Sequence, residues 1–180
     1  MTTCLRRVGW LLLCGLLLQP GAVLAQATSE AQLKAAFLIS FMKYVEWPNE
    51  QSTLTLCVRG REAVFPHLAR YQGRTIGRRL IEVRKLAETG SLKDCDQLYL
   101  AEPDGERVRT VIQQLARQPV LVTGDGENFL SQGGTVALLP SDGRIQFDIN
   151  LGALSRSGLK VATPMLRLAR RTLSGEVGAK

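Results

Sequence analysis

The chain has 180 residues, of which 45% are hydrophobic and 22% charged, with 23 Lys+Arg against 16 Asp+Glu and a formal net charge of +7. These values are those of one ordinary globular domain, and they exclude a disordered tail, a collagen-like fibre, a disulfide-dense miniprotein and a polytopic membrane protein. His67 is the one histidine, which excludes a multi-histidine metal or catalytic site.

Residues 1–25 read as an export leader. Arg6 and Arg7 supply the positive start, Val8 to Leu18 an apolar run of 11 residues, and Val23-Leu24-Ala25 a small-residue cleavage site. An 11-residue run is too short to span the ~30 Å of a bilayer core. A lipid anchor at Cys14 is the weaker reading, because bulky Leu13 precedes it and the apolar run continues beyond. Cleavage removes two arginines, Cys4 and Cys14, leaving 155 residues with a net charge of +5. Cys57 and Cys95 remain. In an oxidising compartment an even pair points to a disulfide, with two buried free thiols as the alternative. Lys and Arg read as scattered rather than interleaved with aromatics, so no nucleic-acid partner is expected.

The elements follow in chain order. Ser29-Glu30-Ala31-Gln32 forms a capping box. It opens a helix that carries Leu33, Ala36, Phe37, Phe41, Tyr44 and Val45 and stops at Trp47-Pro48. Leu54 to Val58 is a strand, Ala63 to Gln72 a helix, and Arg79 to Arg84 and Gln97 to Ala101 are strands. Asp104 caps a helix with Val108, Val111, Ile112 and Leu115 on one face, which Pro119 ends. Val120 to Thr123 is an apolar run of the kind found in buried parallel strands. Gly124-Asp125-Gly126 is a turn, and Glu127 to Gln132 is a short helix closed by Gly133-Gly134. Thr135 to Leu139 and Ile145 to Ile149 flank Pro140-Ser141-Asp142-Gly143 as a hairpin. Asn150 caps a helix through Arg156, with Gly158 at its end. Thr163-Pro164 begins the last helix, in which Arg170 and Arg171 would complement the C-terminal dipole. The alternation predicts a single α/β domain over 26–180, with a mostly parallel sheet, helices on both faces and an antiparallel edge hairpin. Strands bearing Cys57 and Cys95 can then be neighbours.

Little catalytic chemistry is on offer. The glycines around Asp125 lack both the dinucleotide and the P-loop spacing. His67 has no nucleophile elbow to serve. Asp94/Asp96 and Asp104/Glu106 read as capping and solvated pairs, and Cys57 and Cys95 are not a C-x-x-C. No cofactor, no metal and no enzymatic activity are expected. Phe37, Phe41, Tyr44 and Trp47 concentrate aromatic mass on one segment. Core packing explains most of it, with one or two facing a pocket or partner.

Lys34-Ala35-Ala36-Phe37-Leu38 with Phe41, Lys43, Tyr44, Val45, Glu46, Trp47 and Pro48 resembles the opening of the YfiR-like family of exported bacterial proteins. The resemblance continues through Leu56-Cys57-Val58, Asp94-Cys95, Gly133-Gly134 and Arg144 to Asn150, including Phe147-Asp148-Ile149-Asn150, and ends near Ala169. It implies a periplasmic α/β protein, commonly a homodimer. It further implies repression of an inner-membrane diguanylate cyclase through that enzyme's periplasmic sensor domain, which keeps cyclic di-GMP and biofilm formation low. It also implies that Cys57 pairs with Cys95. Some relatives carry a second cysteine pair, which this chain lacks. By the same resemblance Phe37, Phe41, Tyr44, Trp47 and Asn150 are the candidate partner or pocket residues. The competing expectation is a periplasmic small-molecule-binding protein that serves a transporter or sensor kinase. Its ligand would sit in the loops after Val58 and Ala101, at the carboxyl ends of the strands.

Overall fold

The computed structural model describes residues 21–49, 51–60, 63–102, 104–141 and 143–174, with backbone alone over 21–29. The leader upstream of Gly21 and the turn residue Asp142 lie outside the described residues. Helix α1 (Gly21–Tyr44) leads into β1 (Val45–Glu46). Then come β2 (Thr53–Gly60), α2 (Phe65–Leu68), β3 (Thr75–Ile76), β4 (Arg79–Leu86) and β5 (Gln97–Ala101). Next are α3 (Gly105–Leu115), β6 (Leu121–Asp125), α4 (Asn128–Ser131), β7 (Val136–Ser141) and β8 (Arg144–Asn150). The chain closes with α5 (Leu151–Arg156), β9 (Lys160–Val161), α6 (Thr163–Leu168) and β10 (Arg171–Leu173).

One eight-stranded sheet has the order β10-β8-β7-β6-β5-β2-β4-β3. Strands β4, β2, β5, β6 and β7 are parallel neighbours. β8 returns antiparallel to β7, β10 runs parallel to β8, and β3 is antiparallel to β4. A separate antiparallel pair joins β1 to β9.

The period-2 pattern of the strands divides the core between the two faces. Leu56, Val58, Tyr99, Leu121, Val136, Leu138 and Phe147 pack with Leu38, Phe41 and Met42 of α1 on one face. Phe37, Phe41 and Phe147 form an aromatic trio there, with ring centroids 5.1–6.1 Å apart. Each such pair adds about 0.5–1.5 kcal/mol beyond its buried area. Cys57, Leu98, Leu100, Val122 and Ala137 face the other way, against Val108, Val111, Ile112 and Leu115 of α3. The spacing of those four residues is the apolar stripe of an amphipathic helix. Asp104 accepts the Glu106 and Arg107 N–H groups and caps it.

The helix read from Ser29 starts earlier, at Gly21. Ala22, Leu24, Ala25, Gln26 and Ala27 favour helix, so helical propagation runs through the capping box. Val45 is not helical, since pairing with Val161 draws it into β1. The turn read at Gly124-Asp125 is strand. Glycine is needed at 124 and at 134 because the Phe129 ring lies against both backbones, where a Cβ would overlap it. Arg170 and Arg171 leave the last helix: α6 ends at Leu168, and Arg171 enters β10 beside β8. Both side chains reach Asp148, so an ion pair and a strand register outweigh the dipole contact. The β7–β8 hairpin is therefore one strand in from the edge.

Candidate functional site

Strand order reverses between β2 and β5. From β2 the chain moves to β4 through α2 on the α1 face, and from β5 it moves the opposite way to β6 through α3 on the other face. Right-handed crossovers demand this change of face when the direction of travel reverses. The reversal splays the loops at the carboxyl ends, which is where α/β sheets open a crevice.

A cavity of about 750 Å³ occupies that place. Ala63 and Val64 line it from beyond β2, Ala101 and Glu102 from the end of β5, Asp125 from the end of β6 and Lys34 from α1. Gly60 lets β2 and β5 converge here: it adopts φ +103°, and a Cβ would strike the Ala101 carbonyl.

The polar heart of the crevice is an ammonium among oxygens. Lys34, only 9% exposed, donates to Asp125 Oδ2 at 2.7 Å and pairs with Glu30 Oε1 at 2.9 Å. The Tyr99 hydroxyl donates to the same Asp125 oxygen at 3.0 Å. Burial works to lower the lysine pKa, but the hydrogen bonds to Asp125 and Glu30 more than offset it, so the value lies above the ordinary lysine range. Among the described lining residues Glu30, Glu102 and Asp125 outnumber Lys34, and the first α3 amides are already taken by Asp104. Such a lining accepts a cationic or hydrogen-bond-donating group more readily than an anion.

On the opposite face a second cavity of about 930 Å³ lies between α3 and the Glu88–Lys93 loop. That loop carries the chain from β4 across β2 to β5 without a helix. Arg59 holds it, donating Nη2 to the Glu88 and Gly90 carbonyls. The Cys57–Cys95 disulfide fixes its end, with a Cα–Cα distance of 5.8 Å.

The sequence candidates sit elsewhere. Phe41 and Trp47 are buried, and Phe37 and Tyr44 pack partly buried against the same core. Trp47 Nε1 donates to the Asp96 carbonyl. Asn150 caps α5, accepting the Ala153 N–H at 2.9 Å, and its amide donates to Leu130 O. The structure thus groups Phe37 and Phe41 around Phe147 in the core that Trp47 and Tyr44 share, gives Asn150 to a helix cap, and puts none of the five on the crevice wall. Lys34, Tyr99 and Asp125 were missed as a group. Their signal was a lone cation on the buried side of an apolar helix and an acid at the end of an apolar strand.

Among solved structures, a conserved domain protein from Vibrio cholerae matches with a TM-score of 0.51 at 12% identity, over 79% of this chain and 60% of that one. The ABC domain in complex with L-Trp from Streptococcus pneumonia matches with a TM-score of 0.52 at 9% identity, over 77% and 62%. The chain therefore spans about three-fifths of those structures, and at these identities they share its fold alone. The family model described as YfiR/HmsC-like matches residues 31–170, from within α1 to the residue before β10. The chain belongs to the YfiR/HmsC-like family.

Proposed function

We propose that residues 26–180 act, after removal of the leader, as a periplasmic regulatory binding protein. It represses an inner-membrane diguanylate cyclase by binding that enzyme's periplasmic sensor domain, and so keeps cyclic di-GMP and biofilm formation low. The observation that carries this reading is the family match over 31–170. The leader pattern and the disulfide fit an oxidising, exported setting. A homodimer is part of the same proposal. The test is cellular cyclic di-GMP in a strain lacking the gene, with and without a plasmid copy. A several-fold rise reversed by the plasmid is expected, and an unchanged level overturns the reading.

The crevice favours a second reading, a small-molecule-binding protein that serves a transporter or sensor kinase. A site of this size at a topological switch point, with one buried charged cluster, has the form of a ligand pocket. Its test is thermal unfolding of the secreted chain against free amino acids and polyamines. A ligand that binds only the folded state raises the midpoint, and Asp125→Ala, which removes an acceptor from the crevice, is expected to diminish that rise. No rise with any of them removes this reading.

A further inference from the structure

The net charge of the secreted chain is concentrated in one stretch. Residues 70–85, RYQGRTIGRRLIEVRK, hold six basic residues and one acid, a net of +5. The remainder of 26–180 holds fifteen basic and fifteen acidic residues and is neutral. In sequence these arginines read as scattered, because Arg70 lies in the 3-10 turn Ala69–Tyr71, Arg74 and Arg78 flank β3, and Arg79 and Arg84 belong to β4. The fold sets those elements side by side as the outer edge of the sheet.

Arg70, Arg74 and Arg78 are exposed there and Arg79 is half-buried. The single acid, Glu82, is held by Arg84 through two hydrogen bonds of 2.8 and 3.0 Å. The Arg74 guanidinium lies over the Tyr71 ring at 5.5 Å. Among the described residues Arg70, Arg74, Arg78 and Arg79 form no ion pair. The backbone of this edge is also incomplete. β3 pairs with Arg79 and Leu80, and Ile81 exchanges hydrogen bonds with Gly73 and Arg74, but β4 continues to Leu86. At Val83 the N–H donates to the side-chain oxygen of exposed Gln72, at 2.7 Å, where a neighbouring strand would otherwise sit. Leu80, 47% exposed, adds apolar surface beside the cations.

We propose that the β3–β4 edge docks an acidic, extended segment of a protein partner, which displaces the Gln72 side chain and pairs its carboxylates with Arg70, Arg74, Arg78 and Arg79. The proposal deepens the regulatory reading by naming the surface and the chemistry of its partner. Concentrated charge steers an acidic chain to the edge and discriminates among partners. The Val83 N–H, once released from Gln72, then adds direction by strand addition. A lipid headgroup would use the charge and leave the backbone positions unanswered.

The test uses the disulfide-intact secreted chain and a fluorescein-labelled peptide of alternating Glu and Val, followed by anisotropy. Saturable binding is expected, weakening as salt rises and screening shortens. Arg74→Glu with Arg78→Glu is expected to weaken it by about tenfold or more, whereas Arg156→Glu with Arg167→Glu, on other elements, leaves it within about twofold. A peptide of alternating Glu and Pro has the same charge but fewer backbone donors, and is expected to bind more weakly. Unchanged far-ultraviolet circular dichroism confirms that the variants fold. Equal peptide binding by the wild type and the Arg74→Glu/Arg78→Glu variant overturns the proposal. So does equal binding of the two peptides, which reduces the contact to charge alone. So does arginine-dependent binding to phosphatidylglycerol vesicles without peptide binding, which makes the edge a lipid surface. Absence of all binding assigns the arginines to guarding an open edge against self-pairing. These readouts use purified components, so a cyclic di-GMP result that sinks the cyclase reading leaves them standing.

Discussion

The two edges of the sheet treat charge in opposite ways. At the β10 edge two partly exposed arginines close over one buried carboxylate. The Asp148 side chain is fully buried and accepts from Arg170 Nε and Nη2 at 2.9 and 2.7 Å, and from Arg171 Nη2 at 2.9 Å. Glu127 completes the cluster at 2.8 Å from Arg170. At the β3–β4 edge the cations face solvent, and structural anchoring is left to the Cys57–Cys95 disulfide one strand away. A carboxylate that is desolvated and held by several charge-assisted hydrogen bonds is costly to replace, because those bonds are lost inside a buried site. A charge in water contributes little to stability and remains available for a partner. One edge thus closes the fold while the other keeps its charge for binding.

This contrast can be broken at several points. The largest effect is expected from the disulfide. It closes a loop with a sequence separation of 38, and losing it is expected to cost about 4 kcal/mol on the chain-entropy model. In Cys57→Ser with Cys95→Ser, the thermal midpoint is expected to fall by roughly 10 °C, measured by calorimetry. An unmoved midpoint would show that the helix-free crossover is held by packing and Arg59 alone.

Next comes Asp148→Asn, expected to cost about 2–3 kcal/mol because charge-assisted hydrogen bonds are lost within a buried site. Hydrogen bonds from Arg170, reinforced by Arg171 and opposed by burial, hold the Asp148 carboxyl below its ordinary value of 3.8. A depressed carboxyl is protonated in the unfolded chain first as pH falls. Its contribution is therefore full above about pH 4 and lost below it. Urea titrations at pH 7 and pH 3 are expected to show a wide gap between wild type and variant at the first and a narrow one at the second. A gap that does not change with pH would detach the stability from the carboxylate.

A smaller effect of opposite sign is expected on the other half of the sheet. Burial raises the Asp96 carboxyl, against the Thr55 N–H it accepts at 2.7 Å and the nearby charge of Arg79. A raised carboxyl costs stability once pH climbs past the unfolded value. Asp96→Asn keeps an acceptor for Thr55 and is expected to raise the midpoint slightly at pH 7, an advantage that vanishes below about pH 4. A loss of stability at pH 7 would mean that the charge itself supports this region. The smallest effect belongs to the exposed edge. Arg74→Ala with Arg78→Ala is expected to leave the midpoint unmoved while weakening acidic-peptide binding. A large drop in midpoint would make these arginines structural and erase the contrast between the edges.

How much of this was legible depended on sequence distance. β5 and α3 were readable because local periodicity and a local cap specify them. The two-residue β1, β3 and β9 and the three-residue β10 carry no period that a sequence pattern could register. Their existence follows from pairings made only in the folded chain. The same holds for charge. Asp148 and Arg170 are 22 residues apart, and Lys34 and Asp125 are 91 apart. Nothing local distinguishes an arginine about to meet a buried carboxylate from one at a helix end. The crevice was foreseeable in position, since the sheet order of an α/β chain places it, but its lysine was not. The arginines of 70–85 looked dispersed because a turn and two strands separate them in sequence and unite them only at an edge.

The most direct measurement is cellular cyclic di-GMP in a strain lacking this gene, complemented at equal periplasmic levels with the wild type or with Arg74→Glu/Arg78→Glu. The expected result is a several-fold rise on deletion, reversal by the wild type and none by the variant. Reversal by the variant equal to the wild type would contradict the assignment of the partner surface to the β3–β4 edge, and no rise on deletion would contradict the regulatory role itself.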